Sequence, residues 1–66
     1  MASPVISIIA PVYNEEDCLH VLYERISEVM DATGDSWELV LVDDGSKDRS
    51  NEIIRELAAK DNRVRP

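Results

Sequence analysis

Two short clusters gather the residue types able to do chemistry, Pro11-Val12-Tyr13-Asn14-Glu15-Glu16 and Asp43-Asp44-Gly45-Ser46. Tyr13 offers an aromatic face for a planar ring, and a carboxylate of the Asp43-Asp44 pair can accept a hydrogen bond from a ring N–H. Glu15 and backbone groups near Pro11 and Val42 add polar contacts for a base or a ribose hydroxyl. This set suits a nucleobase. It does not suit bare phosphate, which carboxylates repel unless a divalent cation such as Mg²⁺ joins the two. A metal is implied without being sited. Taken alone, each cluster also has a plainer reading. The first could be a turn with a helix cap, the second a strand-ending turn with Gly45 at positive φ and an aspartate closing an Asx-turn.

What distinguishes the clusters is where the fold should put them. Val5 to Ala10 is a β-branched run closed by Pro11, which predicts a strand buried on both faces. Asn14 is placed to cap a helix with Glu15, Glu16 and Asp17 in its first turn. Leu19, Leu22, Ile26, Val29 and Met30 recur at helical spacing as far as Gly34. Trp37 to Val42 predicts a second buried strand. Asp48 or Ser50 can cap a second helix that buries Ile53, Ile54, Leu57 and Ala58 and ends at Asp61-Asn62. Arg63-Val64-Arg65-Pro66 reads as the approach to a third strand that the sequence does not contain.

The expectation is therefore an α/β domain over residues 1–66, a parallel sheet in the order β-α-β-α that is incomplete at its end. Ligands bind such open sheets beyond the carboxyl ends of the strands, where both clusters fall. Neighbouring strands lie about 5 Å apart, so the clusters should line one crevice. Two unrelated turns would not predict that shared location. Two strands alone leave open edges, through which the chain could self-associate.

Composition narrows the function further. The chain has 66 residues, 44% of them hydrophobic and 32% charged, as a globular chain has. A chain of that size buries only about 60% of the surface its unfolded form exposes, so its core is small. The net charge of −7 has the wrong sign for a nucleic-acid partner. No apolar stretch approaches the ~20 residues of a membrane-spanning helix. The N-terminus lacks the pattern of a secretory signal, so a cytoplasmic location is expected.

Other reactive residue types carry less. Cys18 is the sole cysteine and has no partner for a disulfide or an evident metal set. His20 reads as a helix-surface residue, and Trp37, at the far end of the second strand, as a packing residue.

At the two clusters the sequence resembles family-2 glycosyltransferases of the GT-A (Rossmann-like) fold, especially polyprenyl-phosphate sugar transferases related to dolichyl-phosphate mannose synthase. The matching stretches run from Val5 to Glu16 and from Trp37 to Ser50. The resemblance implies that Pro11, Tyr13 and Glu15 contact a nucleoside, that Val42 does so through its backbone, and that Asp44 binds the base. Asp43 would organise the turn. It further implies inverting transfer of a sugar from a UDP- or GDP-linked donor to a hydroxyl or a lipid phosphate. A divalent cation, Mg²⁺ or Mn²⁺, would neutralise the leaving diphosphate. The family's metal-binding Asp-x-Asp motif lies downstream of the second helix, and no such motif follows Asp48. No catalytic or metal-binding residue is assigned to this chain, which is expected to be an inactive N-terminal portion of its parent, at the cytoplasmic face of a membrane.

Two other classes fit less well. A receiver-type phosphoacceptor domain also holds Mg²⁺ with paired aspartates, but places them after its first strand. A nicotinamide-binding half would need a Gly-x-Gly-x-x-Gly turn, which Gly34 and Gly45 cannot supply. A non-catalytic assembly module using the open strand edges is a third alternative.

Overall fold

Alternation in the two apolar runs builds the sheet. The computed structural model describes residues 4–66; Met1, Ala2 and Ser3, part of the stretch weighed against a secretory signal, lie outside the described residues. The elements follow in the order β1 (Ile6–Val12), α1 (Leu19–Thr33), β2 (Trp37–Asp43), α2 (Ser50–Lys60) and β3 (Val64–Arg65). The three strands form one parallel sheet in the order β1-β2-β3. The expected parallel α/β architecture is present, and β3 corrects the expectation of an absent third strand. A short turn, in which Val64 N–H donates to the Asp61 carbonyl, sets the chain beside β2, and Val64 then pairs with Leu39.

The structure also corrects the expectation that the strands are buried on both faces. Ile6, Ile8, Ala10 and Val12 of β1 and Trp37, Leu39 and Leu41 of β2 join one apolar cluster. Leu19 and Met30 of α1 and Ile53, Ile54 and Leu57 of α2 complete it, so both helices cover the same face. Residues between these positions point the other way, and Ile9 keeps 69% of its surface exposed. Among the described residues no helix covers that face, which carries Ser7, Ile9 and Pro11 of β1 beside Glu38, Val40 and Val42 of β2. The helices meet their forecast unevenly. The inward face of α2 is as expected, whereas on α1 Leu22 and Val29 remain exposed along the flank beside β1. Gly34 ends α1 at φ 76°, a left-handed turn that a side chain would strain.

A polar clasp closes the end of the sheet away from the two clusters. Trp37 is buried there as a packing residue, and its indole N–H donates to Asp31 at 3.1 Å. The Arg63 guanidinium lies 4.1 Å from the indole centroid and donates to Asp31 and Asp61, each at 2.8 Å. The Tyr23 hydroxyl donates to Asp61 at 2.6 Å. Arg63 hydrogen bonds, above all, hold the Asp61 carboxyl well below the usual carboxylate range, with Tyr23 assisting against desolvation. Tyr23 and Asp31 of α1, Trp37 of β2, and Asp61 and Arg63 of the turn between α2 and β3 are thereby tied together.

Two outcomes follow from this packing. Leu39 has no exposed surface, so Leu39→Ala should cost about 2–5 kcal/mol in urea unfolding, as a large-to-small core change does. Arg63→Ala should raise the Asp61 midpoint in an NMR titration. Because the folded value is depressed, this carboxylate stabilises the fold above the ordinary aspartate value of about 3.9, and its contribution fades as pH falls through the folded value. In Arg63→Ala the folded value lies nearer the ordinary one, so the protein should be less stable at neutral pH and should lose less stability between neutral pH and acid than the parent does.

Candidate functional site

Parallel register brings the two clusters together. Val12 pairs with Asp43 at the ends of β1 and β2, and Asp44 N–H extends the ladder by donating to the Val12 carbonyl at 2.8 Å. Beyond that point neither loop has regular structure, and its backbone donors need other partners. The loops satisfy one another. Asn14 N–H donates to Ser46 Oγ at 2.9 Å, Lys47 N–H to Asn14 Oδ1 at 2.8 Å, Glu15 N–H to Ser50 Oγ at 2.8 Å, and Glu16 N–H to Asp48 Oδ2 at 3.1 Å.

Asn14 therefore does not cap α1, a correction to its expected role. Its backbone takes a positive φ of 50°, a conformation asparagine tolerates better than most residues, and its side chain reaches across to the second loop. The Glu15 carbonyl instead accepts from Cys18 N–H and Leu19 N–H, so Glu16, Asp17 and Cys18 form a turn leading into the helix. No acidic residue stands in the first turn of α1 itself. On α2 the Asp48 carboxylate accepts from Ser50 N–H at 2.9 Å, a cap-like contact made from just outside the helix.

The three loop aspartates have different duties. Asp43 Oδ1 accepts from Ser46 N–H at 3.0 Å and Oδ2 from the Asn51 amide at 3.1 Å, closing the turn in which Gly45 takes φ 82°. Bonds from Ser46 and then Asn51 hold its carboxyl below the usual range. Desolvation alone would raise Asp48, but hydrogen bonds from Ser50 and from the Glu16 backbone outweigh it and lower the value. Asp44 is exposed and has no side-chain hydrogen bond among those described, so its carboxylate faces solvent ready to accept.

Pro11 and Val42 are register partners on the open face, Val42 47% exposed. Tyr13, 54% exposed, and Asp44 immediately follow the ends of the two strands. Glu15 is exposed and borders a cleft of about 300 Å³ with Pro11, Cys18 and Leu22 beside β1. The five residues singled out in the sequence thus stand at one end of the sheet, Pro11 and Val42 on the paired strands and Tyr13, Glu15 and Asp44 on the two loops bonded to each other. A larger cleft, about 390 Å³, lies at the opposite end beside Asp31, Trp37, Glu38 and Arg63. Of the charged groups there, Asp31, Glu38, Arg63 and Arg65 are already paired in the clasp, in the Arg65–Glu38 bridge and with Ser7.

Among the described residues no three or more His, Cys, Asp or Glu side chains gather in a group able to hold a metal ion. Asp43 and Asp48 are moreover committed to turn and loop donors, which makes this set a poor fit for a divalent cation.

Sequence reasoning missed the residues that join the loops. Ser50 was read as a cap, whereas it is fully buried and accepts from the other loop. Ser46 belongs to the expected strand-ending turn and Asp48 is the other expected cap of α2, and both also act across the crevice. One signal was available, since four residues separate Asn14 from the first residue of the apolar helical pattern, Leu19, too many for an ordinary cap.

The family model described as glycosyl transferase family 2 matches residues 7–66, through both loops and all three strands. Similar proteins include an uncharacterised glycosyltransferase, YkcC, of Bacillus subtilis (strain 168), 56% identical over 89% of this chain and 18% of its own length. Undecaprenyl-phosphate 4-deoxy-4-formamido-L-arabinose transferases are also similar. That of Edwardsiella ictaluri (strain 93-146) is 51% identical over 83% of the chain and 17% of its own length. That of Salmonella paratyphi B is 40% identical over 80% and 17%. The chain spans about a sixth of the length of these curated relatives. Its parallel β-α-β-α-β order is that of the start of a GT-A sheet, and with the family match running from Ser7 to the last residue, the chain belongs to glycosyl transferase family 2.

Proposed function

We propose that this chain is the nucleoside-recognising part of a glycosyltransferase that uses a UDP- or GDP-linked sugar. The observation that carries the reading is the set of hydrogen bonds joining the Tyr13–Glu16 and Asp43–Ser50 segments at the carboxyl ends of adjacent parallel strands. In this reading the base lies against Tyr13 and the open-face pair Pro11 and Val42, and a base N–H donates to the Asp44 carboxylate. Val42 contributes through its backbone, and Glu15 accepts from a hydroxyl or N–H of the nucleoside. Stacking holds the ring, while the carboxylate selects a donor edge.

The transfer is read as inverting. An acceptor oxygen attacks the anomeric carbon, the bond from that carbon to the nucleotide diphosphate breaks, and the diphosphate leaves. No described residue is assigned as the base or as a metal ligand; in this reading those groups are supplied from outside the described residues, together with the Mg²⁺ or Mn²⁺ that the family resemblance suggests. Relatives named for undecaprenyl phosphate favour a polyprenyl phosphate as acceptor. The reaction would then take place at the cytoplasmic face of a membrane, although no helix among the described residues is long and apolar enough to cross one. The receiver alternative draws no support from the family match.

Isothermal titration of the full-length protein with UDP and with GDP should give saturable binding to one of them. Asp44→Ala should weaken it about tenfold or more, the usual effect of losing a hydrogen bond to a charged group. Binding of neither nucleotide, or an unchanged affinity in Asp44→Ala, would contradict the assignment. The crevice should also resist mild acid. Because the folded values of Asp43 and Asp48 are depressed, their contribution is complete above about pH 3.9 and lost as pH falls through the folded values. The Glu16 and Ser46 amide resonances should therefore stay in place from pH 7 to about 4 and move only below that.

A further inference from the structure

We infer that Ser50 is a positioning residue for the nucleoside site, acting through the backbone of Glu15; the inference rests on the nucleoside reading just given. Ser50 is the one buried polar or charged residue in the described core, with no surface exposed. A hydroxyl in such a place is unfavourable unless it is hydrogen-bonded. Its Oγ accepts from Glu15 N–H at 2.8 Å, while its own N–H donates to Asp48 at 2.9 Å. Asp48 in turn accepts from Glu16 N–H. Ser50 thus begins α2, and through one hydroxyl it fixes the backbone of a residue placed against the ligand, 35 positions earlier in the chain.

The position of that hydroxyl is set by a rigid element. Ile53, Ile54 and Leu57 anchor α2 in the core within two turns of Ser50, so the serine cannot follow the loop if the loop moves. Tyr13 and Glu15 are exposed on a segment without regular structure, and their side chains add no described hydrogen bond that would hold them. The order of the ligand-facing loop therefore comes from the other loop and from α2. Removing the Ser50 hydroxyl leaves Glu15 N–H without its partner and frees Glu15 to sample conformations that do not meet the ligand. Affinity falls by the fraction of time the loop spends elsewhere.

The test compares the full-length protein with Ser50→Ala, Ser50→Thr and Ile54→Val by titration with UDP and GDP, thermal unfolding and amide hydrogen exchange. Ser50→Ala should bind the preferred nucleotide about fivefold more weakly, the typical effect of one lost hydrogen bond. Glu15 N–H should exchange at least about tenfold faster than in the parent, because its protecting acceptor is gone. Ser50→Thr, which keeps the hydroxyl, should restore both. Ile54→Val, a core change in the same helix, should lower the melting temperature while leaving affinity and Glu15 exchange unchanged. Parent-like affinity in Ser50→Ala would overturn the positioning role while leaving the nucleoside reading intact. An equal loss of affinity in Ile54→Val would assign the effect to general stability and overturn it as well. A parent protein that binds neither nucleotide would remove the nucleoside reading itself, and the positioning role with it.

Discussion

Parallel pairing of β1 with β2 is the constraint on which the remaining structure depends. It holds Val12 beside Asp43, so that two loops far apart in sequence leave the sheet side by side. The same register turns alternate residues of both strands toward one face, where α1 and α2 bury them around Leu39 and Leu41. A slip of one residue would exchange the buried and exposed sets and would separate the loops from their partners. Core and crevice are thus consequences of one alignment.

The loops convert that proximity into defined geometry because backbone donors cannot be left unpaired without cost. Asn14, Glu15 and Glu16 each give their N–H to a side chain of the other loop or of the first residue of α2. Lys47 returns the contact through the Asn14 side chain. This arrangement divides the acidic residues by duty. Asp43 and Asp48 are occupied by donors and hold the loops in shape, whereas the Asp44 and Glu15 side chains are exposed and have no described hydrogen bond. In the proposed reading the exposed carboxylates serve to accept from donor groups on a base.

Much of the fold was legible because periodicity and turn chemistry agree. The apolar runs after Pro4 and Ser36, the inward stripe of α2 and the glycine closing α1 all followed from residue type and spacing. The placement of both clusters at the carboxyl ends of neighbouring strands followed from the parallel pattern alone. What was not legible depends on tertiary partners. β-branched residues such as Ile9 read as buried on both faces because their side chains suit burial, but whether a face is covered is decided by packing partners that a local window does not contain. Asn14 carries the signature of a helix cap, yet its acceptor is used on a loop more than thirty residues away. Ser50 fits a local cap equally well, and only its burial and its distant donor distinguish the two roles. The short β3 was missed because two residues carry too little periodicity to be read as a strand.

The central claim is that the two bonded loops form one nucleoside site. A crystal structure of the full-length protein with its preferred nucleotide bound tests it most directly. The account predicts a base stacked against Tyr13, within hydrogen-bond distance of the Asp44 carboxylate, with the Glu15–Ser50 bond still in place. A base seated away from both Tyr13 and Asp44, or loops that part when the nucleotide binds, would contradict it.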